Sequence, residues 1–151
     1  MKDVSKETRT ALNSIYERLK DELLAFDAPD CLTLEVTLYG VRHLCYVLDG
    51  FDSKLHYSMD FTEGENYRHS KGKTPINCLF ASSSVIPFER KFDLMHEAIE
   101  TFLMRWCGMT YDEAHEIANS YERAYRLEYR NRRPKDEIKY FKLHEGELVR
   151  E

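Results

Sequence analysis

Between Tyr121 and Lys135 the chain carries six basic side chains (Arg123, Arg126, Arg130, Arg132, Arg133, Lys135) against two acidic ones (Glu122, Glu128), a local charge of +4. Cations near a helix C-terminus gain about 0.3–1 kcal/mol each from the macrodipole, but that interaction fades beyond the last turn. Six charges in fifteen residues exceed what capping requires. Tyr121, Tyr125 and Tyr129 recur at every fourth position. Arginines and stacking rings together suit a polyanion or an acidic protein surface. The expected binding surface is therefore Arg123, Tyr125, Arg126, Tyr129, Arg130, Arg132, Arg133 and Lys135. A second basic group, Tyr67, Arg68, His69, Lys71 and Lys73, lies in the polar segment from Thr62 to Pro75. Its Gly72-Lys73-Thr74 triplet resembles the end of a phosphate-binding loop. However, Tyr67 stands where that motif needs its first glycine, and Pro75 follows where a helix must start. A solvated or partner-binding loop is the expectation that remains.

The histidine pattern points away from a metal. His96-Glu97-Ala98-Ile99-Glu100 matches a zinc-protease helix for two residues, and Glu100 then occupies the place of the second histidine ligand. His115 belongs to the following helix. In an antiparallel hairpin turning at Gly108, residue 96 faces about position 120, and an offset of about five residues, roughly 7–8 Å, argues against a shared centre. No metal and no other cofactor is expected. Nucleophilic catalysis has little support either: Ser82-Ser83-Ser84 reads as helix-capping material, no GxSxG elbow exists, and Cys31, Cys45, Cys78 and Cys107 lie outside any CxxC pair. No catalytic residue is assigned, and buried, reduced thiols suggest a reducing, cytoplasmic setting.

The elements that position these groups follow from hydrophobic period. Val4, Thr8, Ala11, Leu12, Ile15, Leu19, Leu23 and Phe26 recur at helical spacing, predicting a helix over 4–27 that Pro29 ends. Leu32, Leu34, Val36 and Leu38 alternate with Thr33, Glu35 and Thr37, the pattern of a half-buried strand over 31–38. Tyr39-Gly40 turns the chain into a second strand, 41–48, and Asp49-Gly50 turns it again into a third, 51–61. A fourth strand is expected over 76–81. Helices then span 87–107 and 111–132, separated by Gly108, the second opened by a Thr110/Glu113 capping box. Residues 137–143 read as a tail or edge strand. The fold class is α+β: a single domain over 1–151, with an antiparallel β-meander of three to five strands packed against an N-terminal helix and a C-terminal helical hairpin. If that hairpin were a helix-turn-helix, its reading helix would present Asp112, Glu113 and Glu116 to DNA, charges that repel phosphate.

Composition sets the outer limits. A chain of 151 residues, 42% hydrophobic and 32% charged, is ordinary for one soluble domain, and a net charge of −5 excludes a nucleic-acid field over the whole surface but not a local basic patch. No apolar run approaches the length of a membrane span, and the N-terminus has no apolar targeting core. Size, one compact domain and the lack of a catalytic signature are similar to those of many accessory proteins of phages and mobile elements, which often act by occluding a host protein. The expected function is thus a small, soluble, non-catalytic binding module, an inhibitor or accessory protein acting on a protein partner. Nucleic-acid contact through the basic helix end, and an enzyme whose site is assembled from scattered residues, are the alternatives. A homodimer is compatible with an exposed edge strand.

Overall fold

The computed structural model describes residues 4–28, 30–48, 64–66, 77–82 and 86–132; of these, the side chains of 48, 64–66, 82 and 130–132 are left aside. The element order is α1 (Lys6–Glu22), a 3₁₀ turn (Leu23–Asp27), β1 (Thr33–Leu38), β2 (Val41–Leu48), β3 (Gly64–Asn66), β4 (Cys78–Ser82), α2 (Pro87–Trp106) and α3 (Tyr111–Arg132). The architecture is mixed α+β. The expected strands over 51–61 and 137–143 and the Asp49-Gly50 turn lie outside the described residues; the segment 62–75, expected as a loop, is described only over Gly64–Asn66, which is strand β3 paired with β4.

Local chemistry accounts for the element ends. Ser5 caps α1 by accepting a hydrogen bond from the Thr8 amide at 3.1 Å. Tyr39 and Gly40 both take positive φ, 50° and 79°, the geometry of a two-residue hairpin turn whose twist matches that of its strands. β1 and β2 pair antiparallel from Leu38↔Val41 to Thr33↔Tyr46. Pro87 sits in the first turn of α2, where its missing amide costs nothing. Gly108, at φ 65°, closes that helix, and the Met109 amide donates back to the Leu103 carbonyl. Thr110 and Glu113 form the capping box: the Thr110 hydroxyl accepts from the Glu113 amide, and the Glu113 carboxylate accepts from the Thr110 amide.

The sheet departs from a meander. Its order is β1-β2-β4-β3, and β2 pairs parallel with β4, from Leu44↔Cys78 to Leu48↔Ser82. Only β1–β2 and β3–β4 are antiparallel. A parallel neighbour needs a crossover rather than a tight turn, and alternation within a strand carries no record of its neighbour's direction.

The inward face presents Val36, Leu38, Cys45, Val47, Leu79 and Ala81, all buried. α2 lies at the centre, packed against α1, the 3₁₀ turn, β3, β4 and α3. Every residue from Glu89 to Leu103 is consequently buried, the polar ones included. Burying a charge is costly unless it is paired, so the polar side of α2 must be answered by its neighbours. Lys91 meets Asp27 of the 3₁₀ turn; Glu89, His96 and Glu100 meet α3. Among the described residues no helix is long and apolar enough to cross a membrane.

Candidate metal centre

Glu89, Asp93, His96 and Glu100 fall at i, i+4, i+7 and i+11, one stripe of α2. His115, Glu122 and Arg126 form the matching stripe of α3. Where the two meet, three donor atoms converge. His96 Nε2 lies 2.9 Å from Glu100 Oε2, His115 Nδ1 lies 3.0 Å from the same oxygen, and the two ring nitrogens are 3.1 Å apart. Two of the three side chains are almost wholly enclosed, with 9% and 2% of His96 and Glu100 exposed, whereas His115 keeps 42% of its side chain in solvent. The Tyr111 hydroxyl, one turn before His115, is 3.2 Å from the same Nδ1.

The expected separation of His96 and His115 is therefore corrected, the two rings being in contact. His96 stands between His115 and Glu122 on α3, its Nδ1 3.2 Å from Glu122 Oε1, so the helix register is close to that anticipated. The offset estimate treated the two histidines as an isolated pair. Glu100, one turn nearer the hairpin, lies opposite His115 and bridges the gap.

With Glu100 ionised, no placement of protons makes all three short contacts attractive. If both ring nitrogens carry protons toward the carboxylate, the two N–H groups oppose each other; if one does, the other nitrogen sets its lone pair against the carboxylate oxygen. A cation bound by all three atoms would remove the conflict, each then offering it a lone pair. Two imidazoles and a carboxylate form a borderline N/O set suited to first-row divalent ions.

A supporting shell lies behind His96. Glu122 is near enough to pair with the imidazole, though poorly aligned for a hydrogen bond, and it accepts from Arg126 Nε and Nη2 at 3.3 and 3.2 Å. Arg126 Nη1 reaches Glu89 Oε2 at 2.7 Å. A carboxylate behind a ligating histidine fixes the ring and raises its basicity. Without a cation, burial of the His96 ring lowers its pKa, but the hydrogen bond to Glu100, the adjacent Glu122 carboxylate and the charges of Glu97 and Glu100 outweigh that and push it up to about 10. Burial alone would raise the Glu122 carboxyl, yet His96 and Arg126 hold it below the ordinary carboxylate range.

No family model, curated protein or solved structure matches the chain.

Three of the eight residues of the anticipated basic surface, Tyr125, Arg126 and Tyr129, are held within the fold. Tyr125 and Tyr129 are core residues: the Tyr125 hydroxyl donates to the Lys20 carbonyl at 3.1 Å, and the Tyr129 hydroxyl donates to Asp27 at 2.6 Å. Arg126 is held by Glu89 and Glu122 with its guanidinium over the Phe92 ring. Spacing at i, i+4 and i+8 marks one helical face, and on α3 that face packs inward. Arg123 remains exposed, its Nη2 3.4 Å from the Ser120 hydroxyl. Arg130 and Arg132 belong to α3 with side chains outside the description, as are Arg133, Lys135 and the group Tyr67, Arg68, His69, Lys71 and Lys73. Of the strand histidines, His43 points inward beside Trp106, and His56 lies outside the described residues.

Proposed function

We propose that the chain is a small metal-binding module that holds a divalent first-row ion between α2 and α3 through His96 Nε2, Glu100 Oε2 and His115 Nδ1. The convergence of those three donors at 2.9–3.1 Å, with Glu122 behind His96, is the observation that supports this reading. The module needs no catalytic step. The ion pins the helical hairpin, and binding free energy at such a centre adds to folding free energy.

The test is thermal unfolding of chelator-treated protein titrated with Co²⁺, Ni²⁺, Zn²⁺ and Mn²⁺. At about 100 times Kd the gain is ~2.7 kcal/mol, which for a domain of this size raises Tm by roughly 5–11 °C. His115→Ala, at the most exposed ligand, preserves the fold and abolishes the shift. Failure of every ion to move Tm, or an equal shift in His115→Ala, removes the reading.

A protein-binding role is a second reading, supported by Leu32, Tyr39 and Leu44, large apolar side chains left about half exposed on and beside the β1–β2 hairpin. Sedimentation of the wild type and of a Leu32→Ser/Leu44→Ser variant over a range of concentrations tests whether that partner is a second copy of the chain. A mass that stays monomeric in both excludes it.

A further inference from the structure

Among the described strands β1 is an edge of the sheet, with β2 on one side only. The two-residue turn at Tyr39-Gly40 makes Leu38↔Val41 a hydrogen-bonded pair, so Leu38, Val36 and Leu34 direct their amides and carbonyls to β2, whereas those of Thr33, Glu35 and Thr37 point away from it. Leu32 continues the first series, its carbonyl accepting from the Val47 amide at 2.9 Å. Such an edge is a template for another strand unless something covers it. The cover here is thin. Glu22 Oε2 accepts from the Thr37 amide at 3.3 Å, and the Thr33 carbonyl accepts from the Cys31 thiol at 3.5 Å. Glu22 Oε1 is held by Arg18 Nε at 2.7 Å, so the carboxylate keeps its cation when the amide is taken by another acceptor.

Register and shape identify the strand that fits. In an antiparallel pair related by a two-fold axis, outward-directed residues meet outward-directed residues, and one alignment alone matches all of Thr33, Glu35 and Thr37 with one another. It places Glu35 opposite Glu35 of a second copy and Thr33 opposite Thr37. Each Glu35 already faces Arg42 of its own chain, Nε and Nη2 at 2.8 and 2.5 Å, so the axis carries two ion pairs and not two bare carboxylates. Threonine against threonine is a favourable cross-strand pair. The same alignment sets Leu32 of one copy opposite Leu38 of the other, on the side of the sheet that the helices cover. Leu32 is half exposed in the single chain, and at Leu38 a groove opens between Ala11, Ile15 and Arg18 of α1 and Thr37, Tyr39 and Gly40 of the hairpin. Each copy thus offers the apolar side chain that the other's groove accepts.

Resting on the protein-binding reading, we infer that the partner is a second copy of this chain, joined β1 to β1 about a two-fold axis at Glu35, with Leu32 of each copy seated between α1 and the Tyr39-Gly40 turn of the other. The two four-stranded sheets then run on as one. Leu44, opposite Glu35 on the other face of the sheet, takes no part.

Sedimentation of the full chain over a wide range of concentrations is expected to show the mass doubling. Glu35→Pro removes an amide directed away from β2, so the β1–β2 ladder keeps its bonds, circular dichroism matches the wild type, and the protein stays monomeric. Leu32→Ser weakens the dimer roughly 10- to 100-fold, because both copies lose an insertion, and Leu44→Ser leaves it unchanged. A cysteine reads the register directly. Residues of a hydrogen-bonded antiparallel pair have Cα atoms about 5.5 Å apart, within disulfide reach, so Glu35→Cys gives a linked dimer on treatment with oxidised glutathione. Thr33→Cys, four residues out of step with its mate and so at least about 13 Å from it, gives none, as does the wild type. A wild type that is monomeric throughout overturns this inference together with the second-copy form of the protein-binding reading. A dimer that survives Glu35→Pro, or that Leu44→Ser abolishes while Glu35→Cys fails to link, overturns this inference alone and leaves protein binding to another face.

Discussion

Removing Asp27 will destabilise the protein more than removing the lysine it faces. Lys91 Nζ is wholly buried, 2.5 Å from Asp27 Oδ1 and 2.6 Å from the Phe88 carbonyl. The ring centroids of Phe88, Phe92 and Tyr129 lie 4.1, 4.6 and 4.0 Å from it. Asp27 keeps 32% of its side chain in solvent and also accepts from the Tyr129 hydroxyl. The two halves of the pair are thus unequally hydrated. In Asp27→Ala the buried ammonium loses the carboxylate it meets at 2.5 Å, a loss of about 3–5 kcal/mol. In Lys91→Met the apolar stem is kept and the carboxylate, already partly wet, rehydrates, so the loss is about 1–2 kcal/mol. The double variant buries no lone charge and is more stable than Asp27→Ala alone by roughly 1–3 kcal/mol. Urea unfolding followed by far-ultraviolet circular dichroism measures all three. Equal single losses, or a double variant that loses their sum, would refute the reasoning.

Arg126→Ala removes the cation that Glu89 and Glu122 share and costs several times more than Arg123→Ala on the exposed face, which stays within about 0.5 kcal/mol; denaturant midpoints compare them. His43 is buried, and burial first, then the nearby Arg105 charge, lowers its pKa despite the hydrogen bond to the Val41 carbonyl. The unfolded chain therefore binds the proton more readily. Stability falls as pH drops below about 6.5 toward the folded-state pKa, and His43→Leu flattens that part of the stability–pH curve. Gly108→Ala costs about 1 kcal/mol through its positive φ alone, since a Cβ there meets nothing within 4 Å; a crystal structure of the variant with an unchanged hairpin and a matching loss of stability would bear this out.

What could be read in advance was local. Tyr39-Gly40, the Thr110/Glu113 box and Gly108 each act within a few residues, and each stands where its chemistry demands. The β2–β4 pairing joins residues 34 positions apart, as Leu44↔Cys78 shows, and period-2 alternation contains no term for that distance. Tyr125 and Tyr129 misled because aromatic rings at helical spacing serve a core and a stacking surface equally well. The convergence of His96, Glu100 and His115 was missed for a related reason. Glu89, Asp93, His96 and Glu100 line one polar stripe of a helix whose apolar stripe runs through Phe92, Met95, Ile99 and Phe102, and such a polar stripe in most proteins marks the solvated face. The signal that could have revealed the seam is the answering stripe of His115, Glu122 and Arg126, opposite in charge and in reversed order across the turn.

The parallel β2–β4 register has a consequence for how the chain reaches its native state. The β1–β2 ribbon and the α2–α3 pair each close over short spans, His96 meeting His115 across 19 residues. Joining β4 to β2 closes 34 residues, from Leu44 to Cys78, and seating α3 on α1 closes more than 100, from Tyr16 to Glu128; late-closing segments govern the rate at which mixed topologies form. Refolding should thus proceed from two quickly assembled halves that dock slowly, with the three donor atoms already gathered in one of them. Pulsed hydrogen exchange would then protect amides of α2 and α3 before those of β4, and an added ion would accelerate assembly instead of merely strengthening its end point.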